Sequence, residues 1–234
     1  MSRSTIFFDI NETLLDLAPL RAAIGTALGG RNDLLDLWFT TLLHHSLVAT
    51  VTDRFRDFDE LATVALSTVA ARRGLSLSES HARNLVSIMR QLPPQPDAAA
   101  ALQVLRDAGL SVFALSNSST VTLHAQLEHA RLASLFTGSI SVEQIGLYKP
   151  HRHVYRWAAR QAGAAPETCW LVAAHEWDTA GALQARFRAA HIHRMPTPAE
   201  HSDPQPQIVA RDLLEAARRI VADQPGETVP PVRG

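Results

Sequence analysis

Thr5-Ile6-Phe7-Phe8-Asp9-Ile10-Asn11-Glu12-Thr13-Leu14 opens the chain with an unbroken apolar run that ends on a carboxylate and a polar turn. A continuous apolar run, rather than an alternating one, fits a strand buried on both faces, as in a parallel sheet covered by helices. Three further runs have the same character, at residues 111–115, 169–172 and 190–193, and residues 138–142 form a weaker fifth. Between them lie helical patterns over 98–108, 121–130, 154–162 and 178–188, the first and third closed by Gly109 and Gly163. Strands alternating with helices predict an α/β fold built on a doubly wound parallel sheet.

The stretch 17–92 breaks that alternation, because it carries amphipathic helical patterns and no convincing buried strand. Its expected helices are 20–28, 33–45, 59–73 and 78–92, the last two parted by Gly74, and Pro93, Pro94 and Pro96 mark the return to the core. The expected organisation is a Rossmann-like catalytic core at 1–16 and 93–223 with an inserted helical cap domain at 17–92. A last helix at 211–223 precedes a Pro- and Gly-rich segment, 224–234, that reads as a flexible tail.

With 234 residues, 46% of them hydrophobic and 19% charged, the chain has the composition of a globular protein. The net charge of −1 and the lack of a Lys/Arg stripe argue against nucleic acid as a partner. The lone Cys169 excludes an internal disulfide and, within Cys169-Trp170-Leu171-Val172, reads as a buried thiol. The first residues lack the pattern of a signal peptide, and no uncharged apolar segment approaches the ~20 residues that span a bilayer. The expectation is a cytoplasmic protein without a membrane partner.

In open α/β sheets a site forms beyond the carboxyl ends of the strands, so the polar residues just past each run matter most. Asp9 follows the first, Ser116 and Asn117 the second, Lys149 the weak one, and Asp178 stands a few residues beyond Val172. Taken singly each has an ordinary explanation: an N-cap, a turn, a solvated loop. Together, residues 8–14, Leu115-Ser116-Asn117, Tyr148-Lys149-Pro150 and residues 171–178 occur in the order and approximate spacing of four motifs of the haloacid dehalogenase superfamily, which the chain resembles.

The resemblance implies that Asp9 is a carboxylate nucleophile forming a covalent ester that water then hydrolyses. It places Lys149 beside that carboxylate and assigns Thr13 and Ser116 to orienting it and the substrate. Phosphatase members carry a second Asp two residues after the nucleophile; here that residue is Asn11, and an amide is no general acid. Ala174 takes the place of one magnesium ligand, so neither a metal nor another cofactor is implied. A halide leaves carbon without being protonated, and these losses suit carbon–halogen cleavage.

Lys149-Pro150-His151-Arg152-His153-Val154-Tyr155 is similar to the Lys-Pro-x-x-x-Val-Tyr signature of the 2-haloacid dehalogenase branch, and Trp177-Asp178 to the end of its fourth motif. That branch implies a hydrolase for a small 2-haloalkanoic acid, its carboxylate held by Ser116 and the backbone N–H groups of Ile10 and Asn11. Asn117 would face the halide, and Tyr155, Lys149 and Asp178 would complete the polar network. A homodimer through the cap is a further expectation, and Leu42, Leu43, Leu47 and Val48 fit either such a contact or a cap core.

The chain also departs from the pattern. After Leu37-Trp38 the family places an Arg that binds halide; here it is Phe39, and His44 and His45 are either a substitute charge or solvated residues. Ala173 and His175 replace a Ser and an Asn. His175, beside Glu176, either activates water or contacts the leaving group, or merely fills the Asn position. Trp177 either packs or borders the substrate. Two other functions stay open at this level: a phosphatase with relaxed motifs and a degenerate homologue that binds a ligand without turnover.

Overall fold

The computed structural model describes residues 4–194 and 204–224. Its strands are β1 (Thr5–Phe8), β2 (Ser111–Ser116), β3 (Gly138–Ser141), β4 (Cys169–Ala173), β5 (Arg188–Ile192) and β6 (Ile208–Ala210). They form one sheet in the order β3-β2-β1-β4-β5-β6, with every neighbouring pair parallel. From β1 the chain builds β2 and β3 on one side and β4, β5 and β6 on the other. The loops leaving β1 and β4 therefore diverge and open a crevice at their carboxyl ends.

Every residue of β1 is buried, Ile6, Phe7 and Phe8 fully. Phe7 lies between Phe113 and Phe187, with ring centroids 5.6 Å and 5.5 Å away. At ~1.5–3 kcal/mol per fully buried large side chain, this run stabilises the sheet centre more than any local propensity does. Helices α5 (Ala98–Asp107), α6 (Thr120–His129), α7 (Arg152–Gln161), α8 (Glu176–Gln184) and α9 (Leu213–Ala222) cover the sheet, with α5 packed on α9 and β2, and α7 on α8.

Between β1 and α5 the chain forms α1 (Ala18–Ala27), α2 (Leu34–Val51), α3 (Phe58–Arg72), α4 (Glu79–Ser87) and a 3-10 turn at Ile88–Gln91. This helical insert packs chiefly through α2 against α3. Trp38 of α2 is fully buried and its indole N–H donates to the Ala62 carbonyl at 2.9 Å. Asp57 caps α3 by accepting from the N–H of Asp59 and of Glu60 at 2.8 Å and 3.2 Å.

The α/β architecture read from the sequence is the one observed, and four local expectations need correction. Helix α2 continues to Val51 rather than stopping at His45. Its last turns are held by tertiary contacts, since Thr50 Oγ1 accepts from the N–H of Tyr148 at 3.0 Å. By length and apolarity α2 would also qualify as a bilayer-spanning helix, contrary to the sequence reading, and here it buries Leu34, Leu35, Trp38, Leu42 and Ala49 inside the protein. Helix α8 ends at Gln184, four residues early, because Arg186 turns the chain at φ 74° where no glycine announces it. Strand β5 consequently begins at Arg188, and β6, a three-residue edge strand, was too short to register as an apolar run. Apart from Gln224, the segment 224–234 read as a tail lies outside the described residues.

Candidate active site

Asp9 sits one residue past β1, its backbone N–H donating to the Val172 carbonyl of β4 at 3.1 Å, and is 6% exposed. Thr13, on the turn that follows, donates its hydroxyl to Asp9 Oδ2 at 2.7 Å and accepts the N–H of Ala174 at 2.9 Å. The other oxygen, Oδ1, accepts from Lys149 Nζ at 2.7 Å, and the same ammonium reaches Asp178 Oδ2 at 2.6 Å. Tyr155 on α7 donates to Asp178 Oδ1 at 2.5 Å. All five side chains are buried.

Neighbouring loops hold that ammonium in place. The N–H of Lys149 donates to Asn117 Oδ1 at 3.0 Å, which ties its loop to the one after β2. From the other side α8 presses Gly181 against it: a Cβ there would come within 2.5 Å of Pro150 Cβ, 2.6 Å of the Pro150 carbonyl oxygen and 2.7 Å of the Tyr155 hydroxyl.

The charge states follow from burial and neighbours. Burial opposes ionisation of Asp9, but the Lys149 ammonium with the His175 imidazolium outweighs it and holds the carboxyl well below the usual carboxylate range. Asp178 shifts the other way, because burial and the charge of Asp9 exceed the help it draws from Lys149. Lys149 loses solvation too, yet two carboxylates raise its pKa and keep it charged. Burial, then the charge of Asp178, pushes the Tyr155 phenol well up, so it stays a donor.

Above Asp9 is a small cavity lined by Asp9, Asn11, Phe39, Leu43, Phe58, Asn117, His175 and Trp177. About 10 Å³ of it is open to the centre of a water molecule, roughly the room of one water. Much larger is an open groove of about 850 Å³ between α3 and α4, lined by Asp59, Thr63, Arg83 and Arg90 among others, but none of the strand-end residues faces it except Ser119 at the start of α6. The ionised carboxylate of Asp9 lies in the small cavity, which makes that cavity the candidate site.

In that cavity Asn11 is fixed by Gln126, which donates to its Oδ1 at 2.9 Å, and by its own Nδ2 donating to Ser118 Oγ at 3.3 Å. Asn117 contributes a buried Nδ2 that has no hydrogen-bond partner among the described residues. His175 stacks on Phe39 and on Trp177, with centroids 5.5 Å and 5.3 Å away. Its Nε2 meets Glu12 Oε2 at 2.8 Å and its Nδ1 stands 3.5 Å from Asp9 Oδ2. Burial disfavours the imidazolium, but Asp9 and Glu12 raise its pKa to about 9.

No cluster of three or more His, Cys, Asp or Glu side chains is placed to hold a metal among the described residues. Lys149 Nζ lies between the two buried carboxylates, 2.7 Å from Asp9 and 2.6 Å from Asp178.

The chain has known counterparts in sequence and in fold. The family model of the haloacid dehalogenase-like hydrolases matches residues 4–186. The chain belongs to that family. Among members of this haloacid dehalogenase-like family, (S)-2-haloacid dehalogenase 1 of Pseudomonas sp. (strain CBS-3) is 31% identical over 196 residues, 83% of this chain and 86% of that protein. The (S)-2-haloacid dehalogenase of Pseudomonas fluorescens is 27% identical over 92% of this chain and 95% of its own. The structure of L-2-haloacid dehalogenase from Xanthobacter autotrophicus with chloropropionic acid covalently bound superposes with a TM-score of 0.87 at 25% identity, covering 94% of this chain and 98% of that one.

Of the residues singled out in the sequence, the fold gathers Asp9, Thr13, Lys149, Asp178 and Tyr155 into one hydrogen-bonded network. Asn11, Phe39, Asn117, His175 and Trp177 line the cavity with Asp9. Ser116 is buried at the end of β2, where its Oγ accepts the N–H of Ser118 at 3.1 Å. Ile10 is fully buried, its carbonyl accepting from the N–H groups of Leu14 and Leu15 at 2.9 Å and 3.0 Å.

Two readings change. His44 is exposed and His45 half-buried, and neither lines the cavity, so the positive charge near Phe39 belongs to His175. The partner of that imidazole in the site is Glu12, held at φ 67°, where the sequence had pointed to Glu176. The cavity residues Leu43 and Phe58 went unrecognised. Leu43 is one helical turn beyond Phe39 on α2, a spacing that pointed to it; Phe58 carries no such signal.

Proposed function

We propose that the protein hydrolyses the carbon–halogen bond of a small 2-haloalkanoic acid through a covalent ester on Asp9, without a metal ion. The observation that supports it most is the single ammonium shared by two buried carboxylates, 2.7 Å from Asp9 and 2.6 Å from Asp178. That arrangement keeps a buried nucleophile ionised.

An Asp9 oxygen attacks C2 and the halide departs with the bonding electrons toward the unpartnered Nδ2 of Asn117. Asn11 supplies no proton, and a halide requires none. Thr13 and Lys149 hold the two carboxylate oxygens through the reaction. Phe39, Leu43 and Phe58 of the helical insert border the small cavity beside Asp9, and their displacement would enlarge it for a substrate. The relatives named above, dehalogenases of 2-haloacids by name, support the same substrate class.

A panel of chloro-, bromo- and fluoro-substituted short acids assayed with chelator present tests the reading, with halide release as the expected result and its complete loss in Asp9→Asn. Single turnover in heavy-oxygen water should place the label in the Asp9 carboxylate. Label confined to the product would exclude the ester, and silence across the panel would exclude the dehalogenase. Magnesium-dependent phosphate release would favour a phosphatase instead.

A further inference from the structure

We propose that His175 is the proton acceptor for the water that cleaves the Asp9 ester, with Glu12 holding it in the working tautomer. The inference rests on the dehalogenase reading and adds a residue that acts only in its second half. Four observations converge on it. The imidazole is sandwiched between Phe39 of α2 and Trp177 of α8, which fixes its plane. Glu12 takes Nε2 at 2.8 Å. Nδ1, buried and without a hydrogen-bond partner among the described residues, stands 3.5 Å from Asp9 Oδ2, within reach of Asp9 through one water. Finally, Glu12 is a non-glycine residue held at φ 67°, a left-handed conformation that persists where surrounding contacts enforce it.

The charged and titratable groups around this ring are Asp9 from the end of β1, Glu12 from the turn after it, and His191 on β5, whose own charging burial opposes. Lys149 lies on the far oxygen of Asp9. With Asp9 ionised, the two carboxylates raise the His175 pKa to about 9, and the ring is an imidazolium. This charge takes over near Phe39 the place of the cation missing from α2, and it favours an anionic substrate.

Esterification reverses the balance. An Asp9 oxygen bonds to C2, the carbon–halogen bond breaks, the halide leaves with the electron pair, and the ester is neutral. His175 has then lost the charge and contact of Asp9 while its burial remains, so its pKa falls and Nδ1 yields its proton to solvent. Glu12 retains the proton on Nε2, leaving the lone pair on Nδ1 facing the ester. Water bonds to the Asp9 carbonyl carbon as Nδ1 accepts one of its protons. Collapse breaks the ester C–O bond, and the departing alkoxide takes the proton of the newly formed Asp9 acid. Asp9 is again ionised and His175 again charged; one haloacid and one water have become a hydroxy acid, a halide ion and a proton.

Rapid-quench measurement of halide release, together with intact protein mass, tests this on wild type, His175→Asn and Glu12→Gln with 2-chloropropionate. Wild type should turn over without a lasting adduct. His175→Asn should release one equivalent of halide per site, then stall with the ester on Asp9 and a kcat lower by ~10²–10⁴-fold. The burst itself reports that the variant is folded. Glu12→Gln should move the acid limb of the kcat profile to lower pH, because the imidazole then loses its proton more readily. Unimpaired turnover of His175→Asn without an adduct overturns the proposal, as does equal loss of burst and turnover. An unmoved pH profile in Glu12→Gln overturns the role of Glu12. A wild-type enzyme releasing no halide overturns the dehalogenase reading itself, and the wild-type arm tells that failure apart.

Discussion

Replacing Lys149 by Met leaves two buried carboxylates facing one another with no cation between them, and the structure sets the size of the consequence. The ammonium is 1% exposed and lies 2.7 Å and 2.6 Å from its partners. At an effective dielectric of ~20, each attraction is ~6 kcal/mol, offset by a desolvation cost of several kcal/mol per ion. Removing one partner of such a pair costs ~3–5 kcal/mol, or ~6–20 °C in melting temperature for a chain of this size. The loss depends on pH with a definite sign. In wild type the depressed pKa of Asp9 contributes stability above its ordinary value of 3.8, lost only as pH falls through the folded-state pKa. Without the ammonium, burial and mutual repulsion raise both carboxyl pKa values, so the variant loses stability as pH rises from about 3.8 upward. Thermal melts of Lys149→Met and wild type at pH 5 and pH 8 should therefore diverge more at pH 8, and halide release should be lost. A difference of less than ~1 kcal/mol, or one equal at both pH values, would refute the claim that this ammonium holds the nucleophile ionised.

Two other predictions come from the same neighbourhood. Gly181→Ala should destabilise the protein by ~1–3 kcal/mol and lower kcat, because its Cβ would meet the Pro150 carbonyl at 2.6 Å and displace the Lys149 loop; unchanged kinetics would show the loop tolerates the shift. His175, raised from 6.5 to about 9, contributes stability that is complete below pH 6.5 and is lost as pH rises through about 9. A melting profile of wild type that is flat between pH 6.5 and 9, or one no steeper than that of His175→Asn, would contradict the charged imidazole.

The strand-end carboxylate and the Ser-Asn pair were legible in the chain because each follows an apolar run directly, whereas the Lys-Pro and the Trp-Asp took their meaning from the resemblance to family motifs. That Asp9 and Lys149, 140 residues apart, would meet was implied by the family resemblance, since Lys149 follows β3, which lies two strands from β1. Phe58 and the Glu12 partnership had no comparable signal. A left-handed glutamate cannot be read from composition, and the first residue of a helix gives no indication of which neighbour it will face.

Sequence by itself determined the alternation of strands and helices, the helical insert after β1 and the polar residues at the strand ends. These follow from local burial patterns that a linear chain records directly. Tertiary structure alone decided the length of α2, the end of α8, and the place of the second positive charge in the cavity. Each involves a contact between distant segments: Thr50 with Tyr148, Arg186, which turns the chain into β5, with Glu167 at 3.0 Å, and His175 stacked on Phe39 and Trp177 beside Asp9. Long-range packing selects among local conformations and charge states that differ by a few kcal/mol, and no single window of sequence contains both partners.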